Sequence, residues 1–366
     1  MLPASHNFDL AVIGGGPAGS AAAITAARQS ARVVLFEARD FPRHKVCGEF
    51  VSGEALELLA SLLQQLPASR SLLGAAPSSN RTRLFLGERM LEAAISPPAR
   101  SITRYDLDAC LWQAAQAAGV ATLSGCEVAA VTADGPFEVM TPAGGYSASA
   151  VIIAAGRWSQ FTADRHVPAG PRWIGVKGHF REMDASRTTD LYFFQHGYCG
   201  VQPIAKDVIN ACAMVRSDCA TTLSEAFRLN PKLAERAAGW TAVTQPVSTA
   251  PLIFRDAQPV CGSVMYAGDA AAFIDPFAGD GISIALRSGR LAAECACKFL
   301  AGETSLSRSV ELYQREYTRQ FAPLLVSASR VRSLFSLPAA GRALAFQLLR
   351  VPGVMPYLIR KTRRAN

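Results

Sequence analysis

The sequence predicts an α/β chain: a parallel-sheet domain, interrupted by an antiparallel sheet and followed by a helical C-terminal segment. Three observations predict it. Short apolar runs far apart in the sequence (Phe8–Ile13, Arg32–Phe36, Val151–Ala155, Val264–Ala267) read as buried parallel strands. Stretches between residues 166 and 259 alternate apolar and polar instead, as antiparallel strands with one wet face do. The chain after residue 302 is helix-forming and basic. At 366 residues, half of them apolar and 18% charged, there is material for a large core and none of the composition of disorder.

Phe8–Ile13 opens a βαβ unit, with a turn at Gly14–Gly19, an Ala-rich helix over Ser20–Gln29 and a second strand at Arg32–Phe36. A hairpin is expected from Thr82–Leu86 and Arg89–Ile95 around Gly87-Glu88. Asp106–Ala118 reads as a helix closed by Gly119, with a strand at Val120–Leu123. Trp173–Arg181 places Ile174, Val176 and Phe180 on one face and Lys177, His179 and Arg181 on the other. Thr189–Gln195 and Val208–Arg216 are further strands, covered by one helix over Ala220–Ala238. Gly281–Phe299 is the helix after the last parallel strand. The expected domains are therefore discontinuous: 1–80, 100–165 and 260–302 for the parallel unit, 81–99 and 166–259 for the inserted one, and 303–366 for the tail.

Net charge is +8, but the segment from Arg308 onward carries eleven basic and two acidic residues, so the body is close to neutral. That distribution argues against nucleic acid, whose binding domains spread cations over a folded face. The uncharged stretches 10–27 and 109–126 contain glycines or glutamines and read as soluble strand–helix units rather than membrane spans. Nine scattered cysteines without a CxxC pair suggest neither a disulfide framework nor a metal site, and a cytoplasmic location. No secretory signal is apparent.

Gly14, Gly16 and Gly19 form a GxGxxG pattern between a strand and a helix, with Glu37 ending the next strand. In that context the pattern is a dinucleotide fingerprint of Rossmann type. Gly14 permits the tight turn, Gly16 admits a pyrophosphate, and Gly19 lets the helix pack on the sheet. Pro17 and Ala18 lie in the turn with them, and the N-terminus of the helix that follows offers free N–H groups to the phosphates. Glu37, next to Ala38, would accept from ribose hydroxyls and repel a 2′-phosphate, leaving FAD or NAD. A second segment decides for FAD. The strand ending in Gly268-Asp269 places a carboxylate for ribityl hydroxyls. Pro276, Gly279, Gly281 and Ile282 then open a helix whose N-terminus stabilises charge on a reduced flavin.

On these motifs, with Thr103-Arg104-Tyr105-Asp106-Leu107 before a helix, the chain resembles the FAD-dependent oxidoreductases of para-hydroxybenzoate-hydroxylase-like fold. Pro42-Arg43-His44-Lys45-Val46-Cys47-Gly48 and Gly197-Tyr198-Cys199-Gly200 look like segments of the geranylgeranyl-reductase branch, the latter a strand turn facing the flavin. The resemblance implies FAD contacts at Arg43, Cys47, Arg104, Val128 and Gly156. It departs at Ala154-Ala155-Gly156, where the family has an aspartate, and Arg157 is the candidate for part of that role. The halogenases' Trp-x-Trp-x-Ile-Pro segment is absent from the sequence.

The implied activity is an NAD(P)H-driven FAD enzyme. Hydroxylation of an aromatic or polyketide-like molecule is expected first and reduction of C=C bonds in a lipophilic, prenyl-like substrate second. A non-catalytic electron carrier is the alternative of another class. Cys47, His44 and Tyr198 are the candidate catalytic residues: a thiol over the flavin, an acid or base, and a pocket wall. Glu49 is placed to orient them, and His179 and His196 are expected to be structural. Apolar surface beside Arg360-Lys361-Thr362-Arg363-Arg364 suggests a peripheral membrane contact for the tail.

Overall fold

The computed structural model describes residues 6–132, 136–157, 159–161, 170–254, 256–275, 277, 279–335 and 337–350. Among them the strands form two sheets. In the first, His6–Ile13 pairs in parallel with Val33–Phe36 on one side and Gly144–Ile153 on the other. Ala121–Leu123 extends it in parallel at one end; on the other side Val264–Tyr266 pairs in parallel with Gly144–Ile153, and Val260–Cys261 lies antiparallel outside it. The apolar runs of the sequence are thus neighbours in one buried sheet. A short antiparallel addition, Ala130–Val131 with Phe137–Thr141, pairs onto Gly144–Ile153 and was not foreseen.

The second sheet is largely antiparallel and runs through Trp173–Arg181, Val208–Arg216, Gly197–Ala205, Thr189–Phe194 and the hairpin of Ser78–Leu86 with Arg89–Ser101. Phe50–Val51 joins its edge, directly after the Cys47–Glu49 segment. Three local expectations change. Gly197–Ala205 is a full strand, and the turn lies before it at His196, whose φ is +59°. The single helix over Ala220–Ala238 is two, Leu223–Arg228 and Pro231–Ala237. Pro231 lacks the N–H that would continue the first, and the Asn230 side chain accepts from the Leu233 N–H to start the second. The expected wet face of Trp173–Arg181 is dry at Lys177 and His179, 1% and 4% exposed, because a buried carboxylate lies on it; Arg181 is exposed.

Helix Pro17–Arg28 packs on helix Gly281–Leu300 against the parallel sheet, with Ala21, Ala22, Ile24, Leu286 and Ala293 in the shared core. Small side chains on both helices permit that close approach. Helix Leu306–Phe335 buries Tyr313, Tyr317 and Phe321 in the same core, and the Tyr313 hydroxyl donates to the Tyr266 carbonyl at 2.5 Å. Helix Ala339–Leu348 instead sets Phe346 against Leu84 of the second sheet. No helix among the described residues is long and apolar enough to cross a membrane.

Candidate active site

At the first helix mouth two glycines are required by contact. Gly14 has φ +105°, and a Cβ there would stand 2.4 Å from the Ala154 carbonyl oxygen. A Cβ on Gly19 would stand 1.7 Å from the Gly14 carbonyl oxygen. Gly16 is different. Its backbone is extended, and a Cβ there would meet only Lys45 Nζ at 3.8 Å and Arg104 Nη2 at 3.9 Å. The helix it opens has no side-chain cap and no acid in its first turn. A space bounded by free helix N–H groups and two cations is an anion site.

Both cations are held by Asp108, which is fully buried. Arg104 donates to it bidentately at 2.6 and 2.7 Å, and Lys45 Nζ lies 3.5 Å away. Burial disfavours the charge of Arg104, but Asp108 outweighs it and holds the guanidinium firmly protonated. Glu37 accepts from the Gly15 N–H at 2.9 Å and from Arg43 at 2.9 Å, so Arg43 braces the carboxylate at the strand end. Ala38 beside it is exposed.

The second segment reaches the same mouth. A Cβ on Gly268 would lie 2.9 Å from Ala18 Cβ, and the Gly268 N–H donates to Ser288 at 2.9 Å. Asp269 is 40% exposed at its side chain, with Arg157 Nη1 3.7 Å from its Oδ2. The Arg157 guanidinium also lies 4.3 Å above the Phe273 ring, tying Asp269 to an aromatic wall. Gly156, φ +74°, follows Ala154 and Ala155, which pack on Gly14. Gly279, φ +70°, approaches Phe50, Gly281 opens the helix and Ile282 is buried in the core. Val128 packs in the core with Phe137, its carbonyl accepting from Gln160 at 2.7 Å, in a cluster that also holds Ile13 and Phe36 at the ends of the first two strands. Pro276 lies outside the described residues.

Cys47–Glu49 forms the wall toward the second sheet. Gln202 donates to the Gly48 carbonyl at 2.8 Å, and Asn210 to the Cys47 and Gly48 carbonyls at 3.1 and 2.9 Å. The Glu49 N–H donates to Cys47 Sγ at 3.3 Å. Glu49 has φ +59°, costly for a residue with a side chain, and its surroundings over-determine it. Its carboxylate accepts from Lys177, from the Arg104 N–H at 2.8 Å and from His179 Nε2 at 2.8 Å. Burial alone would raise the Glu49 pKa, but the His179 hydrogen bond and the Lys177 charge hold it below the carboxylate range. His179 is thus structural, as expected, in a cluster the sequence did not reveal. His44 stands 5.2 Å from His179, ring to ring, and 5.0 Å from Tyr105. Burial, then Lys177 and His179, lowers its pKa, so it is neutral at pH 7.

Tyr198 lies in an aromatic wall. With Met214 and Leu252 it forms a buried cluster, against which the half-buried Trp173, Phe193, Phe254, Phe273 and Phe277 pack. Phe277 meets the Tyr198 ring edge-on at 5.8 Å. Cys47 is half-buried and packs against the core of the parallel-sheet unit. Burial pushes the Tyr198 hydroxyl pKa well up, which removes it as a base at neutral pH. Burial also pushes the neighbouring Asp275 up to about 6.

These residues fit FAD: an anion cradle at Gly16, a carboxylate at each strand end, and an apolar wall beyond Asp269. The comparisons agree. A family model described as FAD dependent oxidoreductase matches residues 9–53. A menaquinone reductase of Mycobacterium tuberculosis is 28% identical over 80% of this chain and 77% of its own length. A digeranylgeranylglycerophospholipid reductase of Methanococcoides burtonii is 25% identical over 90% of this chain and 84% of its own.

The chain is an FAD-dependent oxidoreductase.

The fold of this flavoprotein is similar to that of a flavin-dependent brominase, with a TM-score of 0.82 at 21% identity over 97% of this chain and 93% of that one. The sequence motifs single out the helix mouth, Asp269 and Cys47. They missed Lys45 and Asp108 as parts of one cation cluster, and Lys177, Gln202 and Asn210 as anchors of Cys47–Glu49. The one available signal was Lys177 and His179 two apart on a strand, which places them on a common face.

Proposed function

We propose that this flavoprotein reduces C=C bonds in a lipophilic, prenyl-like substrate, with NAD(P)H as the transient reductant. The observation that carries the reading is the aromatic wall of Tyr198, Phe193, Phe254, Phe273 and Phe277, tied to Asp269 through Arg157. Such a surface gains by burying hydrocarbon at about 25 cal/mol per Å². Sequence relatives named as reductases of menaquinone and of a geranylgeranyl lipid support it. Bound FAD supplies two-electron hydride chemistry. The chain's residues do the rest: Gly16, Lys45 and Arg104 hold the phosphates, Glu37 and Asp269 hold ribose and ribityl hydroxyls, and Cys47 with Tyr198 shapes a dry space beside the ring. Helix Ala339–Leu348 exposes Leu344 and Leu348, 65% and 56%, an apolar approach to a membrane that holds such a substrate. The basic cluster at 360–364 that would add charge attraction lies outside the described residues.

The competing reading is hydroxylation of an aromatic or polyketide-like compound. Oxygen separates the two. With NADPH and a geranylgeranyl alcohol, the proposal expects saturated product under strictly anaerobic conditions. Product that forms only in air, with label from ¹⁸O₂, would contradict it.

A further inference from the structure

Asp275 and Arg332 meet at the edge of the aromatic wall and leave each other unsatisfied. The Asp275 side chain is 1% exposed. One of its oxygens accepts from the Phe277 N–H at 3.1 Å, and the other, Oδ2, has no hydrogen bond among the described residues. Arg332 reaches in from helix Leu306–Phe335. Its guanidinium carbon lies 3.7 Å above the Phe254 ring, and Nη2 donates to Ser329 at 3.3 Å. Nη1 is buried without a hydrogen bond among the described residues. Nε lies 3.8 Å from Asp275 Oδ2, an ion pair too long to be a hydrogen bond. Two buried polar atoms left open in this way cost free energy until something fills them.

Their chemistry restricts what fills them. An ionised carboxylate only accepts and a guanidinium only donates. A second carboxylate would serve Arg332 and be repelled by Asp275. An ammonium would do the reverse. A hydrocarbon serves neither. A hydroxyl donates once and accepts at its lone pairs, so it serves both.

We propose that Asp275 and Arg332 form a hydroxyl-binding subsite at the polar end of the aromatic wall, and that the substrate is a lipophilic alcohol or phenol. Its O–H donates to Asp275 Oδ2 and its oxygen accepts from Arg332 Nη1. The subsite rests on the reading of the wall as the lipophilic binding surface, but not on the choice between reduction and hydroxylation. It also gives helix Leu306–Phe335 a part in specificity, since Arg332 is its contribution to the wall.

The test is isothermal titration calorimetry of the FAD-loaded protein with geraniol, geranyl methyl ether and myrcene, which share a hydrocarbon skeleton and differ at the polar end. Geraniol is expected to bind about 10- to 100-fold tighter than either of the others, since a site built for a hydroxyl penalises its absence. D275A and R332M are each expected to abolish that preference while leaving myrcene affinity within about twofold and the flavin spectrum unchanged. Equal affinity for the three probes in the wild type means that the pair holds water only and overturns the subsite. So does a preference that survives both substitutions. Binding of none of the three overturns the lipophilic wall as well, and with it the substrate class proposed above.

Discussion

The two walls of the crevice are built in opposite ways. The glycine turn is local: Gly14 to Gly19 and Glu37 lie close in sequence, and the hydrogen bond from the Gly15 N–H to Glu37 spans 22 residues. What it offers is backbone, in the form of N–H groups and absent Cβ atoms. The wall at Cys47–Glu49 is the reverse. Its ties to Lys177, His179 and Asn210 span 128 to 163 residues, and it is made of side chains. A site made of backbone constrains residue type at fixed spacing and therefore writes a motif. A site made of distant side chains writes almost nothing that local pattern can find.

That contrast can be broken at several points. The largest effect is expected on the local wall. G19V forces a side chain into the Gly14 carbonyl, and no soluble, cooperatively melting protein should be recovered. A G19V protein with wild-type Tm would show that the turn does not need the glycine. On the distant wall, E49Q leaves Lys177 as a buried charge with a weakened partner. It should cost about 3–5 kcal/mol in urea unfolding. K177M in the same chain should recover part of that loss, because the orphaned charge is then gone, and additive losses would show that the two residues do not act as a pair.

A smaller effect concerns Asp275. Its folded-state pKa stands near 6 against a usual 3.8, so the folded state holds the proton more tightly than the unfolded one. Its contribution to stability therefore falls as pH rises from about 4 to 6. D275N removes that loss and should be more stable than wild type at pH 8 by up to about 3 kcal/mol, with no such gain at pH 4. An equal difference at both pH values would mean that the carboxyl is not perturbed. The smallest effect on stability is expected at the surface. L344D/L348D should change unfolding by less than about 0.5 kcal/mol and abolish sedimentation with anionic vesicles. Unchanged sedimentation would remove the membrane contact from the proposal.

Much of the fold could be read in advance. Strands such as Phe8–Ile13 and helices such as Gly281–Leu300 announce themselves because burial on all sides demands unbroken apolar runs or a clear period. Trp173–Arg181 misled because polar residues in a strand suggest water. Here they suggest Glu49, which arrives from a segment 128 residues earlier. Asp108 was invisible for the same reason. A carboxylate four residues after Arg104 on a helix reads as a surface ion pair, and only the fold brings Lys45 to the same oxygen. Asp275 lay within a motif already noted, but its unsatisfied oxygen depends on a helix that begins 31 residues later.

Gly16 offers the most direct measurement. Its backbone is open to any residue, and apart from its chain neighbours the nearest atoms to where a Cβ would go are the flexible ends of Lys45 at 3.8 Å and Arg104 at 3.9 Å. G16V should therefore fold as the apoprotein with a Tm within about 2 °C of the wild-type apoprotein, yet bind FAD at least about 100-fold more weakly in an absorbance titration. Undiminished FAD affinity in a well-folded G16V protein would contradict the placement of the cofactor's phosphates at this helix mouth.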